Sequence, residues 1–568
     1  MNIGFSKKKI PDNLDYIIVG SGAGGLACGA LLARSGRRVL VLEQHYIAGG
    51  CLHTFDEKGF EFDTGLHYIG KVKKYGTLLG LAAGSSLDFK QTGSKEDGYT
   101  YDRLVFSDAD HFDLKAGGKD ILRRSLLERF PSSKEDIDKL VGQLLASRFS
   151  EALPFIWRYI PRWIGRPLNM LTKLCGLHTL FASSTSAVLE NSIRNPEIRS
   201  ICLGNTGDEG GSPEDNCWLS RKGVFRHYLR DGGFYPVGGP AAISLALIEA
   251  IEKSGGRVLV RANVKKILVR GGKATGVVVS KAAGDVEISA KEGVIAACGA
   301  KVLYEDLLPG VREAKQQAAA LSKIRQSASH ISIFIGLKGS QEQLKLPSYN
   351  YWVLPNLDTK TGVYRSPMKE EAGYDPMTFP ALGFMGFPSA KDPTYHLRCP
   401  GKSACCLITE APYSFFSEWK GTKSGRRPKD YEALKKKIAD KYISEVVLRL
   451  HPELKDAIDF VDVATPLTSQ FYLGSKRGAS YGLEQSRARF YDWGVQDALH
   501  CQTRIPNLYL TGQDVVTSGI AGAVTSAYFT ASKILGYSFL EVLTGKGIVS
   551  DLKKITPKFR DSKLSSFI

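Results

Sequence analysis

The chain reads as an α/β protein in which a Rossmann-like domain, discontinuous in sequence, is interleaved with an α+β domain. Three observations predict this. A short apolar run at residues 15–19 passes directly into a G-x-G-x-x-G at residues 20–25 and then into small residues suited to a helix. A second glycine-rich run, residues 231–240, precedes another helical segment at 241–254. A third apolar run, 508–511, enters Gly512-Gln513-Asp514 and a small-residue helix from Gly519. At 568 residues the chain is long enough for two domains with a large shared core.

The first unit assigns each residue a mechanical task. Residues 15–19 suit a buried parallel strand. Gly20 makes the tight turn, Gly22 lets the backbone approach a pyrophosphate, and Gly25 allows close helix–strand packing, with Ser21, Ala23 and Gly24 completing the loop. The helix at 26–33 offers its N-terminal N–H groups to phosphate, and Gly36 ends it. The next strand, 38–42, finishes at Glu43, where a carboxylate can accept hydrogen bonds from ribose hydroxyls, with Gln44 beside it. Together these predict a site for an adenine dinucleotide. A second glycine pair, Gly49-Gly50, is followed by Cys51, His53 and a strand-like piece that ends in Asp63-Thr64-Gly65, with His67 and Tyr68 just beyond. Such a pair permits close backbone approach to a flat or phosphorylated ligand.

From 94 to 216 the pattern loosens into helical segments and polar loops. Within it, residues 153–182 alternate Trp157, Trp163, Leu168, Met170, Leu171 and Leu174 with basic residues. Two readings stand side by side: a segment lying at a membrane interface, and a core helix pair with snorkelling arginines. The loop 231–240, which holds Tyr235, marks a ligand or substrate cavity, and strand-like runs follow at 257–260, 265–269, 275–280 and 293–297. Residues 329–497 open with a strand at 331–337 and hold an amphipathic helix in which Leu434, Ile438, Tyr442 and Val446 face a core. The expected division is an N-terminal tail at 1–14, the dinucleotide domain at 15–93, 225–328 and 498–545, the substrate- and membrane-facing domain at 94–224 and 329–497, and a C-terminal tail at 546–568.

Composition narrows the partners. The net charge of +18 is spread along the chain without a nucleic-acid motif, so a membrane surface is the better expectation than nucleic acid. Ten cysteines include no C-x-x-C, and no spacing with the ten histidines suggests a metal site. Neither a signal peptide nor a run of about twenty apolar residues is visible. The final residues, 565–568, form neither a prenylation box nor a retention tetrapeptide.

The loops at 49–55, 62–70 and 510–515 together resemble the carotenoid isomerase and phytoene desaturase flavoproteins, most closely their retinol saturase-like branch. Phytoene desaturases have an arginine after the glycine pair, where this chain has Cys51, as the saturase-like members do. The resemblance implies a glutathione-reductase-type fold and FAD, held by residues 20–25, Glu43, Gln44, Gly49, Gly50, Cys51, Val264, Gly512, Gln513 and Asp514. It implies reduction of a carbon–carbon double bond in a retinoid, of the all-trans-retinol to 13,14-dihydroretinol type. A carotenoid cis–trans isomerase or desaturase is the alternative. Amine oxidation, with Trp493 or Tyr491 as half of an aromatic pair, and a non-catalytic flavin-binding protein are further ones. His53, His67, Tyr68 and Tyr235 are the candidate proton donors. NADPH or NADH at the flavin and a separate reductase are both open as electron source. The expected location is membrane-associated, at the endoplasmic reticulum if the cell is eukaryotic.

Overall fold

The computed structural model describes residues 3–147, 149–177, 179–369, 373–422 and 425–562; the 565–568 tetrapeptide lies outside them. Its centre is a six-stranded, wholly parallel sheet in the order Ile3–Gly4, Arg257–Val260, Val39–Leu42, Tyr16–Val19, Gly293–Ala296, Leu508–Leu510. Four of these strands, Tyr16–Val19, Val39–Leu42, Gly293–Ala296 and Leu508–Leu510, are apolar runs buried on nearly every residue, as a parallel sheet covered on both faces requires. Helices Ala23–Arg34, Ala241–Lys253 and Gly519–Ile534 pack together on this sheet, and Val72–Ala83 packs beside them. A three-stranded antiparallel meander, Val264–Arg270, Lys273–Val279 and Val286–Ser289, leads from the second helix back to the sheet.

The second large sheet has seven strands, in the order Ile458–Ala464, His330–Lys338, Lys402–Glu410, Gly383–Gly386, Asn350–Val353, Thr100–Ser107, Asp110–Lys115. It is antiparallel except where Asn350–Val353 runs parallel to Thr100–Ser107. Helix Lys429–Tyr442, extended by a π-helical stretch at Ile443–Val447, buries Ile438, Tyr442 and Val446 against it, with Leu434 partly buried at the edge.

Three sequence expectations change. The N-terminal tail contributes an edge strand, Ile3 and Gly4 pairing with Leu259 and Val260, because Arg257–Val260 would otherwise leave an unpaired ladder. The C-terminal tail forms helix Ile548–Ile555, which buries Ile548, Val549 and Leu552. The stretch read as helices and loops after residue 94 opens with the hairpin Thr100–Lys115, whose first strand buries Thr100, Tyr101, Asp102, Leu104 and Val105 with no period-two alternation to announce it.

The segment at 153–182 divides. Trp157 is 3% exposed and packs with Leu153, Ile156, Phe181, Cys217, Leu219 and Phe490. Helix Arg162–Leu174 instead turns Trp163, Met170, Leu171 and Leu174 to the outside, at 78%, 67%, 55% and 77% exposure. Its inner face carries small or polar Gly165 and Asn169, with Gly165 against Trp493. An apolar stripe on the outer face is the inverse of a core helix. No described helix is long and apolar enough to cross a membrane.

Candidate active site

Between the two sheets lies a cavity of about 1330 Å³. One side is lined by Gly22, Ala23, Gly24, Cys51, Gly512 and Gln513; the other by Trp352, Phe384, Ile408 and Glu410 of the seven-stranded sheet.

On the first side the chain approaches itself so closely that side chains are excluded. A Cβ on Gly24 would lie 2.7 Å from the Gly512 Cα, and one on Gly25 would lie 2.2 Å from the Gly20 carbonyl oxygen. The loop from one end of the chain is therefore docked directly on the loop from the other. Glu43 accepts from the Ser21 N–H at 3.0 Å and its hydroxyl at 2.6 Å, and Ser21 Oγ accepts from the Gly49 N–H at 3.1 Å. Asp514 accepts from the N–H groups of Leu483 and Ala300, both at 2.9 Å, so its two oxygens tie three segments together. Gln513 accepts from the Gly519 N–H, fixing the start of the last helix.

Two buried arginines hold this loop from behind. Arg158 donates to the carbonyls of Val515, Val516 and Arg489 and to Gln496, while Arg489 donates to the carbonyls of Leu483, Gln513 and Asp514. Burial pushes both guanidinium pKa values down, that of Arg489 to about 10. Glycine counting could not have found them.

The predicted cofactor residues thus separate. Gly22, Ala23, Gly24, Cys51, Gly512 and Gln513 line the cavity; Gly20, Ser21, Gly25, Gly49, Gly50 and Asp514 build the loops behind it; Glu43, Gln44 and Val264 lie to one side. Cys51 packs on Gly65, where a Cβ would come within 2.8 Å of the Cys51 Cβ, and burial pushes its thiol up to about 11. It is a small neutral wall.

The four proton-donor candidates separate too. His67 and Tyr68 line the cavity; His53 and Tyr235 do not. The His53 Nδ1 lies 2.6 Å from the Gly50 carbonyl, so the ring caps the glycine loop, and burial lowers its pKa. Tyr235 donates to Asp63 Oδ1 at 2.6 Å, and Asp63 Oδ2 lies 3.5 Å from His67 Nδ1. Tyr235 therefore reaches the cavity only through Asp63 and His67. His67 Nε2 is buried without a hydrogen-bond partner in the protein, beside the Phe384 ring at 5.4 Å. The backbone carbonyl of His67 accepts from the Lys391 ammonium at 3.1 Å, and burial brings that ammonium down to about 8.

Tyr68 bridges two carboxyls: its hydroxyl lies 2.8 Å from Asp208 and 3.1 Å from Asp102. Burial raises Asp102 to about 6; burial and then the charge of Asp102 raise Asp208 to about 7. Asn350 donates to Asp102 at 3.0 Å, and the ring of Tyr68 stacks on Tyr228 at 4.5 Å. Tyr68 is thus fixed by its neighbours, whereas His67 Nε2 is buried without a hydrogen-bond partner among the described residues.

Asp63, Asp102, Asp208, Lys391 and Glu410 were not singled out from sequence. Asp63 sits inside a motif that was, and its position before Thr64-Gly65 was the available signal. Trp493 and Tyr491, the suggested aromatic pair, lie outside the cavity: Trp493 packs on Gly165, and Tyr491 lies under the Lys173 ammonium at 4.1 Å. No group of described residues could hold a metal ion.

Comparison with known proteins bears on the fold and the family. Residues 18–83 match an NAD(P)-binding Rossmann-like domain and residues 206–322 an FAD binding domain. The chain is 35% identical to all-trans-retinol 13,14-reductase of Homo sapiens over 98% of this chain and 90% of the relative. It is 36% identical to the Danio rerio protein of the same name, over 94% and 88%. Among solved structures, cyclohexylamine oxidase from Brevibacterium oxydans IH-35A superposes with a TM-score of 0.58 at 15% identity, covering 92% of this chain and 98% of that one.

Proposed function

This chain belongs to the all-trans-retinol 13,14-reductase family of FAD-dependent oxidoreductases, and from that premise we propose that it reduces one double bond of an all-trans retinoid alcohol. The observation that carries the reading is the unpartnered His67 Nε2 in a cavity that joins the glycine loops to an aromatic wall.

FAD fits the glycine side. Gly22 and Gly24, the latter docked on Gly512, leave backbone N–H groups and no side chain larger than the Ala23 methyl where a pyrophosphate would lie. Glu43, Gln44 and Val264 are assigned to the adenosine end, and Gln513 and the start of helix Gly519–Ile534 to the flavin end. When bound, FAD in its reduced form supplies the hydride.

The protein must supply the matching proton. An allylic alcohol has no carbonyl to polarise, so the acid beside the neighbouring carbon decides the rate. His67 suits that role: Asp63 Oδ2 lies 3.5 Å from its Nδ1, Tyr235 donates to Asp63 Oδ1, and Nε2 is left without a protein partner for the substrate to meet. Trp352, Phe384, Tyr68 and Tyr481 offer flat faces to a polyene and exclude water.

Entry from a membrane surface is supported by the same cavity. Phe149 and Phe155 line it, and the helix that follows them exposes Trp163, Met170, Leu171 and Leu174 beside Arg166. Lys73, Lys119 and Arg230, all exposed, also line the cavity and suit anionic headgroups or an anionic reductant such as a nicotinamide dinucleotide.

The test is anaerobic incubation of the chemically reduced flavoprotein with all-trans-retinol, followed by product mass. A gain of two hydrogens with flavin reoxidation is expected. An unchanged mass with altered chromatographic mobility would replace reduction by isomerisation.

A further inference from the structure

One buried acid in the cavity has no part in the relay just described. Glu410, the last residue of strand Lys402–Glu410, is 4% exposed and lines the cavity. Among the described residues its Oε1 has no hydrogen-bond partner, and its Oε2 has only the Ser366 hydroxyl at 3.5 Å. Across the ladder stands His330, whose Nδ1 lies 2.7 Å from the Ser480 hydroxyl and whose ring burial brings down to about 4. That ring is neutral and brings no charge to Glu410. On this wall Leu354, Leu382 and Ile408 are apolar, and the phenols of Tyr364 and Tyr481, raised by burial and then by the Glu410 charge among others, stay neutral.

A buried oxygen without a partner is costly and calls for a ligand. The ligand that suits it is a hydroxyl, which donates to a carboxylate and both donates to and accepts from a carboxylic acid. Burial brings the Glu410 carboxyl up to about 7, so both forms are available near neutral pH. Its place also fits. Ile408 is the ladder partner of Phe384, whose ring touches His67, and Glu410 lies two residues further, about 7 Å along the strand. A polyene whose reacting bond lies near His67 and whose alcohol is on the next carbon can reach both groups.

We infer that Glu410 is the hydroxyl anchor of the cavity, hydrogen-bonding the terminal alcohol of the polyene and selecting it over the matching hydrocarbon and carboxylate. This rests on the retinoid reading above. A carboxylate end would meet a second negative charge in an apolar wall, and a hydrocarbon end would leave Oε1 unsatisfied.

Binding to the oxidised holoenzyme, followed by fluorescence quenching and competition, separates this inference from the reaction itself. The ligands are all-trans-retinol, the hydrocarbon with methyl in place of hydroxymethyl, and all-trans-retinoic acid. The wild type is expected to bind the alcohol most tightly. Glu410→Leu is expected to weaken alcohol binding by roughly 100-fold and leave the hydrocarbon unchanged. Glu410→Gln, which preserves shape and hydrogen bonding, is expected to hold the alcohol within about 3-fold and to improve the acid by about 10-fold. Should the leucine variant lose its flavin, the alcohol-to-acid ratio of the glutamine variant decides alone. Equal losses for alcohol and hydrocarbon in Glu410→Leu, or an unchanged ratio in Glu410→Gln, would overturn the assignment. A wild type that binds retinol in this order without reducing it overturns the reaction and leaves the anchor standing; one that binds no retinol overturns both.

Discussion

On its dinucleotide side the cavity is walled largely by backbone, with Gly24 packed so closely on Gly512 that a Cβ would lie 2.7 Å from its Cα, and Gly50 on Gly22 with a Cβ 3.0 Å from its Cα. On its sheet side it is walled by side chains, with His67, Tyr68, Trp352, Phe384 and Glu410 brought together from segments hundreds of residues apart. The backbone wall has one permitted shape, and under the proposed function it would recognise what is common to many enzymes, a pyrophosphate and its sugars. The side-chain wall can be altered residue by residue without moving the chain, and the choice of substrate resides there. Substitutions on the first wall should therefore remove the cofactor, and those on the second should change rates and preferences in a protein that stays yellow.

The largest effect is expected from Gly24→Val. Two γ-methyls would be added to a Cβ that already lies 2.7 Å from the Gly512 Cα, so the two chain ends must separate. The variant should purify without flavin absorbance, or fail to fold. Stoichiometric flavin in this variant would show that the close docking of the two loops is dispensable.

His67→Gln comes next. The variant keeps the size and a polar tip, but it cannot release a proton from Nε2. General-acid catalysis of this kind contributes about 10²–10⁴-fold. Turnover of retinol should fall by at least about 10² while flavin content and retinol binding hold. Tyr235→Phe acts one step removed, through Asp63, and should cost less than His67→Gln. A larger loss for Tyr235→Phe would reverse the assigned order of the relay.

The two walls also differ in how far sequence reveals them. Gly20 to Gly25 lie within six consecutive residues and Glu43 ends the next strand, so the cradle is written in one local stretch. Its physics is that of the backbone, and backbone constraints leave glycine and strand patterns in adjacent positions. Asp63, Tyr235 and Lys391 meet only because the hairpin Thr54–Asp63, the strand Phe234–Pro236 and the short helix Pro388–Lys391 on the seven-stranded sheet close on one another. Nothing near Lys391 in the chain announces that its ammonium will lie 5.9 Å from the Tyr235 ring. Trp157 and Trp163 make the same point at short range. They lie six residues apart in similar surroundings, yet a change from one short helix to the next sends the first inward and the second out. Their composition left an interface and a core equally open, and the fold exposes Trp163 while burying Trp157.

That outward face gives a smaller effect. Trp163→Ala with Leu174→Ala removes two side chains that are more than three-quarters exposed, so stability should change little. Binding to vesicles containing anionic lipid should weaken by about 10-fold or more, given about 25 cal/mol per Å² of apolar surface removed from the interface. Activity on detergent-dispersed retinol should be unchanged, while activity on vesicle-borne retinol should fall in proportion to binding. Unchanged sedimentation with vesicles would assign the exposed stripe to another partner.

The smallest effect concerns the carboxyls beneath Tyr68. Burial and the neighbouring Asp102 raise Asp208 from its ordinary value of 3.8 to about 7. Between about pH 4 and 7 the folded protein thus holds a proton that the unfolded chain has released. The stabilisation is complete below pH 4 and is lost as pH rises through 7. At about 1.4 kcal/mol per pH unit the ceiling is roughly 4 kcal/mol, lowered by any water that reaches the cavity. Asp208→Asn cannot titrate, so its melting temperature should decline less between pH 5 and 8 than that of the wild type, by a few degrees. The variant should also be the more stable of the two at pH 8 and lose that advantage at pH 5. Parallel melting curves across this range would mean that Asp208 is ionised in the folded protein, and that the Tyr68 hydroxyl serves as its donor throughout.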